Sequence, residues 1–301
     1  MASGLVLIDK PQGWTSHDIV AKLRGIAGTR RVGHAGTLDP MATGLLLLGV
    51  NAGTKLLTFL VGEGKTYEAT IRLGASTITD DAEGEAVAIA DAEKVRAISA
   101  DQIEIALISL RGEIMQVPSS VSAIKVDGER AYAKVRGGDE VKLAARPITV
   151  AKFEIKKAPH LVESQGQAFL DFDAVIECSS GTYIRALARD LGNALNVGGH
   201  LTALRRTRIG GYRVEDAVPM AELTRENLTI TSMFDSVKDA FELRELSEQD
   251  VVDLRHGKRI ANDGSSAGEI AGVRNQQLIA MLEPVGTQLK SSVVFAMESD
   301  D

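Results

Sequence analysis

Residues 33–40, GHAGTLDP, contain the side chain best suited to chemistry, the carboxylate of Asp39. The two glycines of this segment allow a tight backbone path, and Pro40 favours an extended conformation at the residue before it. The apolar run 44–50 indicates a buried strand that would support the loop rigidly. A carboxylate held in this way can act as a nucleophile or a general base. On this pattern alone a simpler interpretation is favoured, in which Asp39 only caps the turn before Pro40, because Asp-Pro turns are common.

Other patterns that suggest chemistry are incomplete. Residues 64–66, GKT, lack the earlier glycine of a phosphate-binding loop, since position 59 is Phe. The five histidines show no metal-ligand spacing. The acidic segment 79–85, TDDAEGE, carries no calcium-loop pattern and is interpreted as a solvated turn. We therefore expect no cofactor and no metal.

Length and composition indicate a globular protein. At 301 residues, with 44% hydrophobic and 25% charged residues, the chain suits two domains, or a large one and a small one. No stretch approaches the roughly 18 apolar residues of a membrane span, and the first residues do not resemble a secretory signal. A single cysteine, Cys178, fits a reducing compartment. These features predict a cytoplasmic protein with no membrane partner.

The net charge of −7 is unevenly distributed. Residues 119–213 carry 15 Lys and Arg against 10 Asp and Glu, a net +5. Residues 214–301 carry 8 against 17, a net −9. The middle of the chain is therefore basic enough to meet phosphates locally, which permits RNA binding without demonstrating it.

Periodicity predicts both helices and strands. A helix begins with Ser16 as its N-cap and ends at Gly28. Further helices are expected around 56–60 and 93–110, from 180–182 to Leu195, and after the capping box of Ser247 and Asp250. Strands are expected at 44–50, 65–73, 168–178, 268–273, 276–283 and 291–297. Residues 116–150 form a basic excursion from the core, and a domain boundary falls between about 215 and 245.

Several separated motifs resemble the TruB family of tRNA pseudouridine synthases. They are GLVLIDKPQGWTSHDIV, RRVGHAGTLDPMATGLLLLGVNAGTK, KTYEATIRLG, QVPSSVSAIKVDGERAY, SSGTYIRALARDLG and GGHLTALRRTRIG, and they follow one another in the family's order over about 1–213. The chain departs from the common family pattern at 119–121, SSV, where a second proline and an aromatic residue often stand.

The resemblance implies a fold and a division into domains. The fold class is α+β, a pseudouridine synthase fold in which helices flank a mixed or antiparallel central sheet. Residues 1–230 would form the catalytic domain, with the RNA-gripping excursion at 116–150. Residues 240–301 would form a small, mostly-β, PUA-like domain.

The resemblance also implies three catalytic residues. Asp39 matches the family's essential aspartate, and Arg185 matches the arginine paired with it. Tyr67 matches the tyrosine that packs on the target base and is a candidate proton acceptor. Taken singly, these residues could equally be a turn cap, a surface charge and a core aromatic. A guanidinium beside a desolvated carboxylate favours its ionised form, which gives the pair a physical purpose.

A second set of residues is implied to bind the substrate. It comprises His34, which helps hold the flipped-out nucleotide, Tyr183 and Leu204 in the base pocket, and Lys10, whose role is mainly structural. Basic side chains would contact phosphates without reading sequence, or lie on a solvated face. These are Lys125, Arg130, Lys134, Arg136, Lys142, Arg205, Arg206 and Arg208.

The reaction implied is conversion of uridine 55, in the T-loop of tRNA, to pseudouridine. It is redox-neutral and needs no cofactor, and the base must leave its stack to turn. The expected partner is the T-arm and elbow of tRNA, bound by a monomer that needs no protein partner. Two rivals are a non-catalytic tRNA-folding factor and an N-glycosidase that releases uracil. The sequence leaves open whether Asp39 attacks C1′, attacks C6 of the base or removes a sugar proton.

Overall fold

Two β-sheets contain most of the strands in this computed structural model, which describes residues 2–119, 125–126, 129–130, 143–164, 166–264 and 268–295. The strands of the first half are β1 (Gly4–Lys10), β2 (Val32–Ala35), β3 (Thr43–Val50), β4 (Lys65–Leu73), β5 (Ala75–Thr77), β6 (Ala86–Ile89), β7 (Gly112–Gln116), β8 (Lys125–Val126), β9 (Glu129–Arg130) and β10 (Arg146–Ser164). Those of the second half are β11 (Gln167–Cys178), β12 (Gly199–Ile209), β13 (Tyr212–Arg213), β14 (Val218–Pro219), β15 (Thr231–Ser232), β16 (Glu242–Glu245), β17 (Ile260–Ala261), β18 (Ile270–Arg274), β19 (Gln277–Val285) and β20 (Gln288–Val294).

The larger sheet has eleven strands among the described residues, in the order β14-β1-β3-β12-β4-β11-β10-β7, with β15, β2 and β13 beside β1, β3 and β12. It is mixed, because β1 and β14, and β3 and β12, run parallel while the other pairs are antiparallel. The predicted α+β class with a mixed central sheet is confirmed. In β4 the side chains of Tyr67, Ala69, Ile71 and Leu73 are buried on one face, as the predicted alternation requires.

Six α-helices are described: α1 (Ser16–Ala27), α2 (Gly53–Leu60), α3 (Ala92–Arg96), α4 (Ala100–Ile108), α5 (Ile184–Ala194) and α6 (Glu248–Arg255). Helix α1 ends at Gly28, which has a φ of +66°. Helix α6 begins with the predicted capping box of Ser247 and Asp250. None of the helices in the described part of the chain could span a lipid bilayer.

Three helix predictions need correction. The N-cap of α1 is Thr15, which forms a capping box with Asp18, while Ser16 is buried and bonds to a neighbouring loop. The single helix predicted over 93–110 is two helices, because Ser99 caps a new one. Helix α5 begins at Ile184 rather than at 180–182, because Gly181 has a φ of +84°.

The predicted excursion at 116–150 is too long at its C-terminal end. Residues 146–150 pair with β7 as the start of β10, a strand of 19 residues that the sequence analysis missed. Ile148, Val150 and Phe153 are buried in the first half of the strand, whereas its second half is largely exposed. Residues 117–119 and 143–145 remain outside the sheet within the described part of this segment.

An apolar cluster joins the two sheets. The five-stranded sheet, in the order β16-β18-β19-β20-β17, packs Val273, Met281 and Phe295 against a cluster that includes Leu47 and Leu56 from β3 and α2. The opposite face of the small sheet packs on α6. The C-terminal sheet is therefore anchored to the larger sheet by buried hydrophobic side chains.

Candidate active site

The loop that carries Asp39 is held by the end of β1. Lys10 is fully buried, and its Nζ donates to the backbone oxygens of Trp14 at 2.6 Å and Pro40 at 3.3 Å. The backbone N–H of Gly13 also donates to the oxygen of Pro40, at 2.8 Å. Lys10 therefore fixes the residue next to Asp39, and it is not among the residues that line the cavity beside Asp39.

Two further side chains fix the same loop. The hydroxyl of Ser16 accepts from the N–H of Leu38 at 3.0 Å and lies 3.3 Å from its carbonyl oxygen. Arg206 donates from Nη2 to the oxygen of Gly36 at 2.9 Å. Gly36 has a φ of +75°, and a Cβ there would lie 3.3 Å from the Arg206 guanidinium. The loop is thus tied to α1 and to β12.

Arg185 forms a two-pronged ion pair with Asp39. Its Nε lies 2.9 Å from Oδ2 and its Nη2 donates to Oδ1 at 3.3 Å. The Arg185 side chain is 5% exposed and that of Asp39 37% exposed. The carboxylate is therefore gripped on one side and open on the other, so it is less desolvated than the sequence analysis assumed.

Arg185 is itself held by the acidic turn at 79–85. Its Nη1 donates to the oxygen of Thr79 at 2.6 Å and lies 3.5 Å from Oδ2 of Asp81. Asp81 is 2% exposed and its Oδ1 accepts from the hydroxyl of Thr79 at 2.5 Å. An arginine in the first turn of a helix opposes the helix dipole, and these acceptors offset that cost. The prediction of a solvated acidic turn is wrong for its two aspartates, which are buried, and Asp81 meets the buried Arg185 guanidinium. Glu83 and Glu85 are exposed, as predicted.

A cavity of about 260 Å³ opens at the Asp39–Arg185 pair; we call it the site cavity. Its walls are residues 36–39, Lys65 and Tyr67, residues 180–185, Leu204 and Arg206. It thus brings together five of the seven predicted site residues, namely Asp39, Tyr67, Tyr183, Arg185 and Leu204. Its size is just below the roughly 300–1,000 Å³ of small-molecule sites, which suits a ligand as small as a single nucleotide.

His34 stands apart from the site cavity. It lies on β2, and its ring meets that of His17 edge-on with centroids 5.6 Å apart. Burial, and to a lesser degree the neighbouring His17 and Arg206, lowers the pKa of His34. It is therefore neutral at pH 7, and it lies on the strand that leads into the Asp39 loop.

Tyr67 presents a buried phenol to the site cavity. It is 7% exposed, and burial raises its pKa, while the charge of Arg206 and a hydrogen bond with that guanidinium act in the opposite direction. The phenol is thus neutral at pH 7. A neutral ring suits packing against an apolar face better than removing a proton as a phenolate.

One predicted phosphate contact is wrong. Arg206 is 1% exposed, and its Nε donates to the oxygen of Leu45 at 2.8 Å, because the alternation of β12 turns it inward. Arg205 pairs with Asp9 at 2.7 Å, and Arg208 donates to the hydroxyl of Thr66 at 3.0 Å. For Lys125 and Arg130 only the backbone is described, and Lys134, Arg136 and Lys142 lie outside the described residues.

Lys65 is a site residue that the sequence analysis missed. It is 6% exposed, and its Nζ donates to the oxygens of Glu63 at 2.6 Å and Val61 at 3.1 Å. Burial, followed by repulsion from Arg206, lowers its pKa to about 8. Burial likewise lowers the pKa of Lys10 to about 8, against the attraction of Asp39. In the described part of the chain, no three His, Cys, Asp or Glu side chains are grouped to hold a metal ion.

The chain belongs to the TruB family of pseudouridylate synthases. The model of the family's N-terminal domain matches residues 24–184, and that of the tRNA pseudouridylate synthase B C-terminal domain matches 185–248. Proteins named tRNA pseudouridine synthase B are 52% identical in Paenarthrobacter aurescens, over 98% of this chain and 96% of the relative, and 52% identical in Arthrobacter sp., over 100% and 99%. The relative from Streptomyces griseus is 50% identical over 97% of each chain. The predicted family is confirmed.

Solved structures share the fold at low sequence identity. A chain of a Cbf5–Nop10–Gar1 complex superposes with a TM-score of 0.71 at 23% identity, over 98% of this chain and 86% of that one. A chain of an H/ACA RNP bound to a substrate RNA containing 2′-deoxyuridine gives 0.70 at 22%, over 98% and 85%. The predicted pseudouridine synthase fold is confirmed.

Proposed function

We propose that this protein converts uridine 55 in the T-loop of tRNA to pseudouridine, with the carboxylate of Asp39 as the reacting group. The observation that carries the proposal is the open carboxylate edge of Asp39, gripped by Arg185, at the wall of a nucleotide-sized cavity. Relatives named tRNA pseudouridine synthase B, 52% identical over the whole chain, support tRNA as the substrate. The choice of uridine 55 and of the T-arm rests on the family resemblance.

The reaction rearranges the nucleotide without any external reactant. The bond between C1′ and N1 of uracil breaks, the base turns, and a bond forms between C1′ and C5. The C5 proton is lost and N1 gains one, so atoms and charge balance. A base stacked in RNA cannot turn, so it must first be flipped into the site cavity. Tyr67 and Leu204 would then pack against the faces of the base.

The position of Asp39 is compatible with three alternative first steps of the reaction. Attack at C1′, attack at C6 and removal of a sugar proton all need a carboxylate oxygen directed at the nucleotide. Arg185 occupies both oxygens from one side and so orients the remaining lone pairs towards the cavity. Arg185 therefore acts on the reaction through Asp39. Tyr183 would complete the pocket wall, His34 would support the flipped nucleotide from β2, and Lys10 would hold the loop.

The proposal extends to the domains of the protein, its oligomeric state and its compartment. Residues 1–230 act as the catalytic domain and residues 240–301 as the PUA-like domain. The RNA-gripping excursion, predicted at 116–150, is the part of that segment between β7 and β10. The protein acts as a monomer in the cytoplasm and needs no protein partner. Because the last domain is acidic, the phosphate contacts are expected on the catalytic domain.

The test is to incubate the purified protein with an unmodified tRNA transcript and to map pseudouridine by chemical derivatisation. We expect product at position 55, and none in a transcript with cytidine there. Absence of product at position 55, with an active control enzyme, rejects the proposal. Free uracil in the mixture would indicate an N-glycosidase. Accelerated tRNA refolding by Asp39→Asn would show that a folding activity exists independently of modification.

A further inference from the structure

Three polar side chains, two of them buried, form a cluster behind Arg185. The hydroxyl of Ser119 donates to Oδ2 of Asp80 at 2.5 Å, and Nη1 of Arg189 lies 3.4 Å from the same oxygen. Ser119 is fully buried and Asp80 is 8% exposed. Asp80 has a φ of +59°, which is unusual for a residue with a side chain and has to be sustained by its surroundings. We call these three residues the rear cluster.

The rear cluster joins three separate segments. Asp80 lies in the acidic turn, Ser119 follows β7, and Arg189 lies on α5. Nη2 of Arg189 donates to the oxygen of Val117 at 2.7 Å, so the chain after β7 is bound to the helix. Arg189 is four residues after Arg185 and therefore lies on the same side of α5, one turn further along. None of the three residues lines the site cavity.

Ser119 connects the rear cluster to Arg185 itself. Nη1 of Arg185 lies 3.5 Å from the Ser119 hydroxyl oxygen and donates to the oxygen of Thr79, the residue before Asp80. Movement of Asp80 would therefore displace the acceptor that holds Nη1. The opposite edge of the same planar guanidinium, Nε and Nη2, grips Asp39. Because the fork is rigid, a rotation at one edge moves the other.

We propose that Asp80, Ser119 and Arg189 are positioning residues that set the orientation of Arg185 and, through it, of the Asp39 carboxylate. The proposal rests on the proposed function. Removal of the Ser119 hydroxyl leaves a buried carboxylate with one hydrogen-bond donor fewer, and Asp80 is then expected to move towards Arg189 or water. The hydroxyl of Ser119 and the carboxylate of Asp80 are buried and do not line the site cavity, so neither would contact a nucleotide bound there. The effect should therefore fall on the chemical step and leave tRNA affinity unchanged.

The experiment compares Ser119→Ala with wild type in single turnover at saturating enzyme, together with the Kd for tRNA. We expect the rate constant to fall about tenfold, as for a hydrogen bond to a charged group, while Kd stays within about twofold. Ser119→Thr keeps the hydroxyl and should recover most of the rate.

Ser236→Ala is the matched control, because it also removes a buried serine hydroxyl, 2% exposed, in the turn before the C-terminal sheet. It should lower Tm without changing the rate constant.

Arg189→Ala tests the cluster as a unit and replaces Ser119→Ala if that variant does not fold. The double variant should be no slower than the slower single variant, because both changes release the same carboxylate. Unchanged rate constants in folded variants, with only Tm lowered as in Ser236→Ala, would overturn the positioning role. In that case the wild-type protein would still form pseudouridine, so the proposed function would remain supported. An inactive wild-type protein would instead reject the proposed function and this proposal with it.

Discussion

At the scale of single residues, the site depends on a guanidinium that has acceptors on every side. Arg185 meets Asp39 with one edge and Thr79 and Asp81 with the other. A lysine could not make both sets of contacts, because its ammonium lacks the planar fork. The geometry therefore ties the orientation of the Asp39 carboxylate to this one side chain.

Arg185→Ala is expected to lower kcat at least about 100-fold, since Asp39 loses the two Arg185 donors and the buried Asp81 loses its ion-pair partner. Arg185→Lys should recover only a small part of the activity. Steady-state kinetics on a tRNA transcript provide the measurement, with circular dichroism to verify folding. If a folded Arg185→Ala protein had wild-type kinetics, the Arg185–Asp39 ion pair would have no role in catalysis.

The lowered pKa of Lys65 predicts that the free energy of unfolding depends on pH. The pKa of Lys65 is about 8 in the folded protein, whereas its ordinary value, which applies to the unfolded chain, is 10.5. Between these pH values the unfolded chain holds the proton that the folded protein has released, so the free energy of unfolding rises with pH. At about 1.36 kcal/mol per pH unit the gain is on the order of 3 kcal/mol at most.

This gain should be absent from Lys65→Met. Urea unfolding of both proteins at several pH values between 7 and 10.5 measures it, and other titrating groups cancel in the difference. Wild type should gain stability relative to the variant as the pH rises. A constant difference would show that Lys65 titrates at its ordinary value.

The sequence identified the residues to which the family resemblance assigns a role and missed charged residues whose burial it does not indicate. Asp39, Tyr67 and Arg185 lie in motifs of the family resemblance, and all three line the site cavity. Lys65, Asp80 and Asp81 carry no signal of burial, because charged residues are normally exposed. Arg206 was assigned to phosphate for the same reason. Their burial depends on partners from distant segments, which the sequence does not specify.

At the scale of elements, the site lies beside the point where β3 pairs with β12 without room for a side chain on β3. β3 and β12 pair in parallel through Thr43 and Gly44, opposite Arg205 and Arg206. Gly44 has a φ of +100°, and a Cβ there would lie 2.2 Å from the backbone oxygen of Arg206. This approach brings Arg206 beneath the Asp39 loop.

Gly44→Ala should therefore destabilise the protein strongly, by about 3 kcal/mol or more, because a backbone atom must move. Gly13→Ala is the matched control. Its φ of +82° is also unfavourable for alanine, but its Cβ would meet nothing within 4 Å, so about 1 kcal/mol is expected. Chemical denaturation compares the two. Equal losses would mean that strand spacing adds nothing beyond the backbone conformation.

Prediction of elements succeeded where the pattern was long and regular. The alternation of β4 and the amphipathic pattern of α1 gave the right elements. The start of α5 was misplaced because Gly181 permits a turn that the apolar spacing does not report. β10 was missed because most of its outer half is exposed and carries no alternation.

At the scale of the whole molecule, the C-terminal sheet and the catalytic sheet share buried apolar contacts. Met281 packs in the cluster that joins the sheets, while the next residue, Leu282, packs towards α6 on the other side. The sequence indicated a boundary between about 215 and 245 from rising acidity. It could not show this shared cluster, because pairing between distant apolar segments leaves no local pattern.

A shared core predicts that the two sheets unfold together. Leu282→Ala should cost about 2–5 kcal/mol. Trp14, the single tryptophan, lies beside Lys10 and reports on the Asp39 loop. The unfolding midpoint seen by Trp14 fluorescence should fall as much as that seen by circular dichroism. A fluorescence midpoint that stays at the wild-type value would show that the C-terminal sheet unfolds separately.

The role of the Asp39 carboxylate is tested most directly by single-turnover pseudouridine formation with Asp39→Asn, measured together with the affinity of this variant for tRNA. Asparagine keeps the size of the side chain and a hydrogen bond to Arg185, but it has no carboxylate. We expect the affinity for tRNA to stay within about twofold of wild type and Tm to change by only a few degrees, while no product is detected at position 55. Product formed at a measurable fraction of the wild-type rate would contradict the role of the carboxylate.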